Sequence, residues 1–378
     1  MKKTRQNTPM IAKSAEAAKA REYNSTMGGV AMAKMSRPET PEIQQHMLDD
    51  TRRGEKVLEF QHAMLERVIG QTAAVGSFVN AYQKFLIGMN APNKPVYSVL
   101  LAGSTGIGKS HLCRAAADVL TGNDKALIKI DCGEFQHSHE ISKLIGSPPG
   151  YIGHRETSPM LTQNRLSEYQ TDSCKLSLVL FDEIEKASDA LWNLLLGILD
   201  TASLTLGDNR TVTFEETVIA MTSNAGASDM NKLLSGGNIG FITEHGHPDH
   251  IADAAVRRKF TPEFINRLDE IVICRNLDNN DLHKIFEIEM RAVQKRILAA
   301  RNCPLFVLSW TQTAADFIIT KGTDPRYGAR ELKRTIEKLV VHKLLNFISS
   351  GQVDTGDTVV VDIISGELVF IHRLREPA

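Results

Sequence analysis

Residues Gly103-Ser104-Thr105-Gly106-Ile107-Gly108-Lys109-Ser110 fit the pattern GxxxxGK[ST] in full, and the chemistry they suit is holding a polyphosphate. Glycines let backbone N–H groups wrap anionic oxygens at the start of a helix, where the dipole favours negative charge. Lys109 has the reach for β- and γ-phosphates, and the Ser110 hydroxyl suits Mg²⁺. A Gly-rich turn can match such a pattern by chance, but here the loop follows a predicted strand and opens a predicted helix, which is the context the motif needs.

A second group of residues lies downstream. The apolar run Leu176–Phe181 ends in the adjacent carboxylates Asp182 and Glu183. Successive residues of a strand point opposite ways, so at the strand's end one acid can meet a metal while the other faces the terminal phosphate. Asp182 is then the Mg²⁺ residue, largely through water, and Glu183 the base that orients and deprotonates an attacking water. A solvated strand end followed by Glu185-Lys186 is the bland alternative, and the upstream phosphate loop weighs against it. The run Met221-Thr222-Ser223-Asn224 ends in an amide that either hydrogen-bonds water and phosphate or starts a turn, a common place for Asn.

These residues need a sheet to converge. Candidate strands are Val96–Ala102, Ala126–Asp131, Leu176–Asp182, Val218–Thr222 and Glu270–Cys274, each short, rich in Val, Ile and Leu, and read as apolar on both faces. Helices fall between them, among them Lys109–Leu120 and Ala187–Leu199. Alternating strands and helices predict an α/β fold with a doubly wound parallel sheet. After Arg275 the alternation stops. Long helices over 281–301, 311–321 and 328–348, then strands Thr358–Ile363 and Leu368–His372 joined at Ser365-Gly366, predict a smaller, mostly helical C-terminal domain. The boundaries expected are 1–54 for a helical or disordered extension, 55–275 for the large domain and 276–378 for the small one.

With 378 residues, 42% hydrophobic and 24% charged, the chain is long enough for two or three domains. A formal net charge of -1 gives no general attraction to nucleic acid or anionic membrane. Five scattered cysteines without a paired spacing suit a reducing compartment. The basic start Met1-Lys2-Lys3-Thr4-Arg5 lacks the apolar stretch of a signal peptide, and no run reaches membrane-spanning length. The expectation is a cytoplasmic protein.

The phosphate loop, Leu180-Phe181-Asp182-Glu183-Ile184-Glu185-Lys186-Ala187, Met221–Asn224, Phe264-Ile265-Asn266-Arg267-Leu268-Asp269-Glu270 and Tyr327-Gly328-Ala329-Arg330 occur in an order and spacing that resembles the second ATPase module of the Clp unfoldases, a branch of the AAA+ proteins. The likeness runs from about residue 55 to the C-terminus. It implies ATP with Mg²⁺ at the boundaries of a homo-oligomeric ring, usually hexameric. It further implies that Asn224 is sensor 1, that Arg267 is an arginine finger reaching a neighbour's ATP, and that Arg330 is sensor 2. Val68 and Ile69 would line the adenine pocket. Surface ion pairing is the ordinary fate of arginine, and the matched positions lift Arg267 and Arg330 above it.

Tyr151 and Ile152, flanked by Gly150 and Gly153, resemble the family's pore loop, in which a ring of tyrosines grips polypeptide by packing. A second pore loop is implied near Leu206–Arg210. A structural turn after Pro148-Pro149 is the plainer reading of Tyr151. Ile239-Gly240-Phe241 resembles the loop that docks protease-linked members into a ClpP-type peptidase, but its apolar side chains could equally pack down on the body. His245, His247, Asp249 and His250 lack a regular ligand spacing and read as a solvated loop. The sequence shows no second ATPase module, zinc-binding head or coiled-coil insertion, so substrate choice is expected to rest with residues 1–54, an adaptor or the pore. Three functions compete: an ATP-driven protein unfoldase that threads polypeptide, with or without a peptidase; a nucleic-acid motor or loader, whose basic pore or winged helix is not evident; and an ATP-controlled assembly switch.

Overall fold

A computed structural model describes residues 49, 51–148, 150, 158–225, 254, 256–301, 303–323 and 328–373. The chain divides into two units, Met1–Arg52 and Arg53–Ala378. The first lies almost wholly outside the described residues, and everything below concerns the second.

Helices α1 (Glu55–Arg67) and α2 (Thr72–Ile87) precede strand β1 (Tyr97–Ala102), which runs through the phosphate loop into α3 (Lys109–Thr121). Strands β2 (Ile128–Asp131) and β3 (Ser177–Asp182), helix α4 (Asp189–Thr201), the short strands β4 (Ser203–Thr205) and β5 (Thr211–Thr213), then β6 (Thr217–Ser223) and β7 (Glu270–Ile273) complete the large body. Five strands form a parallel sheet in the order β2-β3-β6-β1-β7.

Alternation along the central strands sends side chains to two cores. Leu101, Leu180 and Ala220 join α1, α2 and α3 on one face. Leu100, Phe181 and Met221 join α4 on the other, where Leu191, Leu195, Ile198 and Leu199 are buried. A strand buried on both faces has no polar side to show, which is why β1, β3 and β6 read as continuous apolar runs. The same reading does not hold at the margins. In β2 burial alternates, with Ile128 and Ile130 inside and Lys129 and Asp131 outside, and in β7 only Val272 is fully buried. Both strands are sheet edges.

Beyond β7 come α5 (Asn279–Ala299), β8 (Val307–Trp310), α6 (Gln312–Gly322), α7 (Ala329–Ile336), a π-helical turn (Glu337–Val341), α8 (His342–Ser349), β9 (Thr358–Ile364) and β10 (Glu367–Arg373). Asp278 starts α5 by accepting from the Asp281 N–H at 2.8 Å, while Asp281 accepts from the Asp278 N–H in return. Three strands pair in the order β10-β9-β8, and a third core gathers Phe286, Met290, Ile318, Leu332, Ile336 and Val361. Strand β8 and the β4–β5 hairpin went unread in the sequence. Strand β8 is only four residues long, and β4 and β5 have three residues each with one apolar side chain apiece, so pairing partners lend such short strands their order. The expected helix 328–348 runs on as α7, the π turn and α8. Among the described residues no helix is long and apolar enough to cross a membrane.

Candidate functional site

The phosphate loop lies where β1 ends and α3 begins. Gly103 is obligatory: its φ is +151°, and a Cβ there would stand 2.7 Å from the Cys274 carbonyl oxygen. Gly108 is the N-cap of α3 and supplies no side-chain cap, so the helix presents open N–H groups to an anion. Lys109 is buried, at 8% exposure. Its ammonium donates to the carbonyls of Gly103 at 2.7 Å and Ser104 at 2.8 Å, and to Asn224 Oδ1 at 2.9 Å. Burial holds that ammonium below the usual lysine value, opposed by Cys274, Glu185, Asp182 and Glu183. A phosphate oxygen would replace one of these neutral partners with a charged one.

Asp182 closes β3. Its Oδ1 accepts from the Ser110 hydroxyl at 2.7 Å and the Thr222 hydroxyl at 2.6 Å, and its Oδ2 meets Lys129 Nζ at 2.7 Å. Burial pushes the Asp182 carboxyl up, but hydrogen bonds from Lys129, Thr222 and Ser110 outweigh it and leave the group below its ordinary range. Glu183 turns the chain in a left-handed conformation, φ 59° and ψ 51°, which is uncommon for a side chain of this kind and costs about 1–3 kcal/mol. Its N–H donates to Thr222 Oγ1 at 3.0 Å, and its carboxylate pairs with Lys186. The Asn224 N–H donates to Glu185 Oε1 at 3.1 Å, while Glu185 Oε2 and Ser104 Oγ are buried without a partner among the described residues.

A cleft of about 410 Å³ opens over these groups. Of the residues singled out in the sequence, Val68, Ile69, Thr105 to Ser110, Asp182, Glu183, Asn224 and Arg330 line it. Its far wall comes from the C-terminal domain, where Leu277, Ile285 and Ile288 supply apolar surface and Lys333 pairs with Glu289 at 3.0 Å. Gly103 and Ser104 lie behind Lys109 and stay out of the lining. Tyr151, Ile152, Ile239, Gly240 and Phe241 lie outside the described residues, as do His245, His247, Asp249 and His250.

Arg267 is absent from the cleft. It follows the short helix Pro262–Ile265 and is held by Asp200 at 2.7 Å and Glu263 at 2.8 Å. Those carboxylates raise its already high pKa, Asp200 most of all. Sequence reasoning missed Lys129 and Thr222, which hold Asp182, and Gln71, whose amide reaches the phosphate loop. The one legible signal for Lys129 was its polar position in the alternation Ile128-Lys129-Ile130-Asp131.

The donor set suits magnesium nucleotide. Ser110 and Asp182 are hard oxygen ligands side by side, and Mg²⁺ takes one or two such groups together with phosphates and water. Fold and site therefore define a P-loop ATPase. The family profile described as "AAA domain (Cdc48 subfamily)" matches residues 94–271, and that described as "C-terminal, D2-small domain, of ClpB protein" matches residues 277–361. Chaperone protein ClpC2, chloroplastic, of Oryza sativa subsp. japonica is 36% identical over 326 residues, covering 84% of this chain and 34% of the relative. Chaperone protein ClpB 1 of Parasynechococcus marenigrum is 36% identical over 308 residues, covering 82% and 34%. Chaperone protein ClpB of Gloeobacter violaceus is 37% identical over 316 residues, covering 84% and 34%. The chain belongs to the Clp-type AAA+ family. It spans about a third of the length of the curated relatives it matches.

Proposed function

We propose that the chain is an ATP-driven protein-remodelling motor that assembles as a ring, usually hexameric in this family, and threads polypeptide through its pore. The observation that carries the ATPase half is the convergence of Lys109, Asp182, Glu183 and Asn224 on one cleft. Mg²⁺, when bound, offsets charge on the β- and γ-phosphates. In this reading the N–H groups of residues 105–110 and the Lys109 ammonium hold the phosphates, Ser110 and Asp182 hold the metal, and Val68 and Ile69 flank the base. Glu183 leaves Lys186 to take a proton from water, and Asn224 orients that water. Arg267 serves the neighbouring subunit, since it lies away from its own chain's cleft and keeps a charged, forked guanidinium near the surface. Arg330 reports nucleotide to the C-terminal domain. We divide the chain for these purposes at residues 54 and 275.

The threading half rests on Tyr151 and Ile152 between glycines, on the turn at Leu206–Arg210 as a second pore loop, and on relatives named as chaperones. Ile239, Gly240 and Phe241 are the segment assigned to docking a ClpP-type peptidase. The deciding experiment captures substrate with a Glu183→Gln trap, with and without residues 1–54, and follows unfolding of a fluorescent protein by the unmodified chain and by Tyr151→Ala. Trapped polypeptides, with unfolding lost in Tyr151→Ala while ATP turnover persists, support threading. Unchanged unfolding by that variant refutes pore gripping, and capture of nucleic acid in place of protein refutes the whole reading.

A further inference from the structure

Two consecutive carbonyls of the phosphate loop are held by groups tied to the C-terminal domain. The Gly106 carbonyl accepts from the backbone N–H of Ala329, at the start of α7, at 3.1 Å. The Ile107 carbonyl accepts from the side-chain amide of Gln71 at 3.1 Å. The same Gln71 nitrogen donates at 2.9 Å to the carbonyl of Arg275, the residue that leaves the sheet toward α5. Gln71 is only 4% exposed, and a buried amide with both its donor hydrogens used is fixed in place.

The fit around this bracket leaves no slack. Gly328 has φ +54°, and a Cβ there would stand 2.8 Å from the Gly106 carbonyl oxygen. On the other side, a Cβ at Gly70 would stand 2.8 Å from Asp281 Oδ2, and Asp281 pairs with Arg275 at 2.7 Å. The Gln71 side chain thus ties the phosphate-loop backbone to the inter-domain linker, and the first residue of α7 bonds the same loop directly. The Gly106 and Ile107 carbonyls share rigid peptide planes with the N–H groups of Ile107 and Gly108, so a loop that adjusts those N–H groups to phosphate turns the carbonyls with them.

We propose that the angle of the C-terminal domain is set by the phosphate loop's own backbone, through Gln71 on the Ile107 carbonyl and Ala329 on the Gly106 carbonyl, in addition to any contact Arg330 makes with nucleotide. Gln71 and Gly328 are positioning residues. The inference rests on the cleft's being a nucleotide site. It requires nothing of ring formation or threading.

The test places fluorophores on Lys125→Cys in the large domain and Lys295→Cys in the C-terminal domain, both exposed sites. Cys303→Ser removes the one cysteine that is not buried. Energy transfer is followed in the full chain as ATP with Mg²⁺ is added, in the Glu183→Gln background to exclude turnover. The expected result is a nucleotide-dependent change in transfer that is lost in Gln71→Met and in Gly328→Ala, while both bind fluorescent ATP within about tenfold of the parent. Arg330→Ala is expected to keep part of the change, which a purely side-chain relay would abolish. Persistence of the full change in both Gln71→Met and Gly328→Ala overturns the proposal, as does a parent that binds ATP with no change at all. If Gln71→Met does not fold, as circular dichroism would show, Gly328→Ala decides alone, because it touches only the Gly106 side. A parent that fails to bind ATP sinks the nucleotide reading instead, and the binding titration tells the two failures apart.

Discussion

The phosphate-loop end of the sheet and the corner that carries Arg267 are both crowded with charge, yet they are built on opposite terms. At the loop, Lys109 is buried and has three neutral partners, and Asp182 is held by two hydroxyls and a lysine. At the corner, Arg267 has two carboxylate partners, and Asp200 and Glu263 keep 39% and 65% of their side-chain surface. Removing a charge from the first place strands buried polar groups. Removing one from the second breaks surface pairs that solvent screens and that contribute little to stability. The charged groups of the first place are held by partners inside the body, whereas the arginine of the second rests on carboxylates that stay partly open to solvent.

The sharpest way to break this contrast is Arg267→Ala. Turnover is expected to fall about a thousandfold, as loss of an arginine finger does, with nucleotide affinity within about threefold and the melting temperature little changed. If turnover survives in a steady-state ATPase assay, the corner is only a surface ion pair. Glu183→Gln is expected to slow hydrolysis by about two to three orders of magnitude, with ATP still bound, as single-turnover measurement would show. Lys109→Met is expected to weaken ATP binding on the order of a hundredfold and also to lower the melting temperature, a penalty Arg267→Ala should not share. Asp200→Asn should reduce turnover by less than about tenfold, since it loosens the guanidinium without removing it. The smallest effect concerns acid. Asp182 sits below its ordinary value of 3.8, so its contribution to stability is complete above that value and lost as pH falls through the lower folded value. Lys129→Met removes a partner and is expected to move the acid-unfolding midpoint to higher pH, as read by near-ultraviolet circular dichroism.

Much of the site was legible because its groups are neighbours in the chain. Gly103 to Ser110 form one turn, and Asp182 with Glu183 end one strand, so spacing alone brought them to the same end of a parallel sheet. The central strands were legible for a related reason: Leu100 and Leu101, or Leu180 and Phe181, must each find an apolar face, and only burial on both sides allows it. Asn224 stood between a turn and a phosphate-facing role, and its bond to Lys109 places the side chain on the loop side.

The primary structure therefore determined the chemistry available, the doubly wound sheet and the phosphate loop, since each follows from local pattern and from burial that strand alternation imposes. Only the tertiary structure decided that Lys129 meets Asp182, that Gln71 joins the Ile107 and Arg275 carbonyls across 36 and 204 residues, and that Arg267 rests on Asp200 outside its own cleft. It also decided that β2 is an edge, which is why Lys129 has a solvent-facing side from which to reach the site. The physical reason is the same in each case: a hydrogen bond or ion pair depends on where two side chains end up in space, and neither residue's local sequence carries the position of the other.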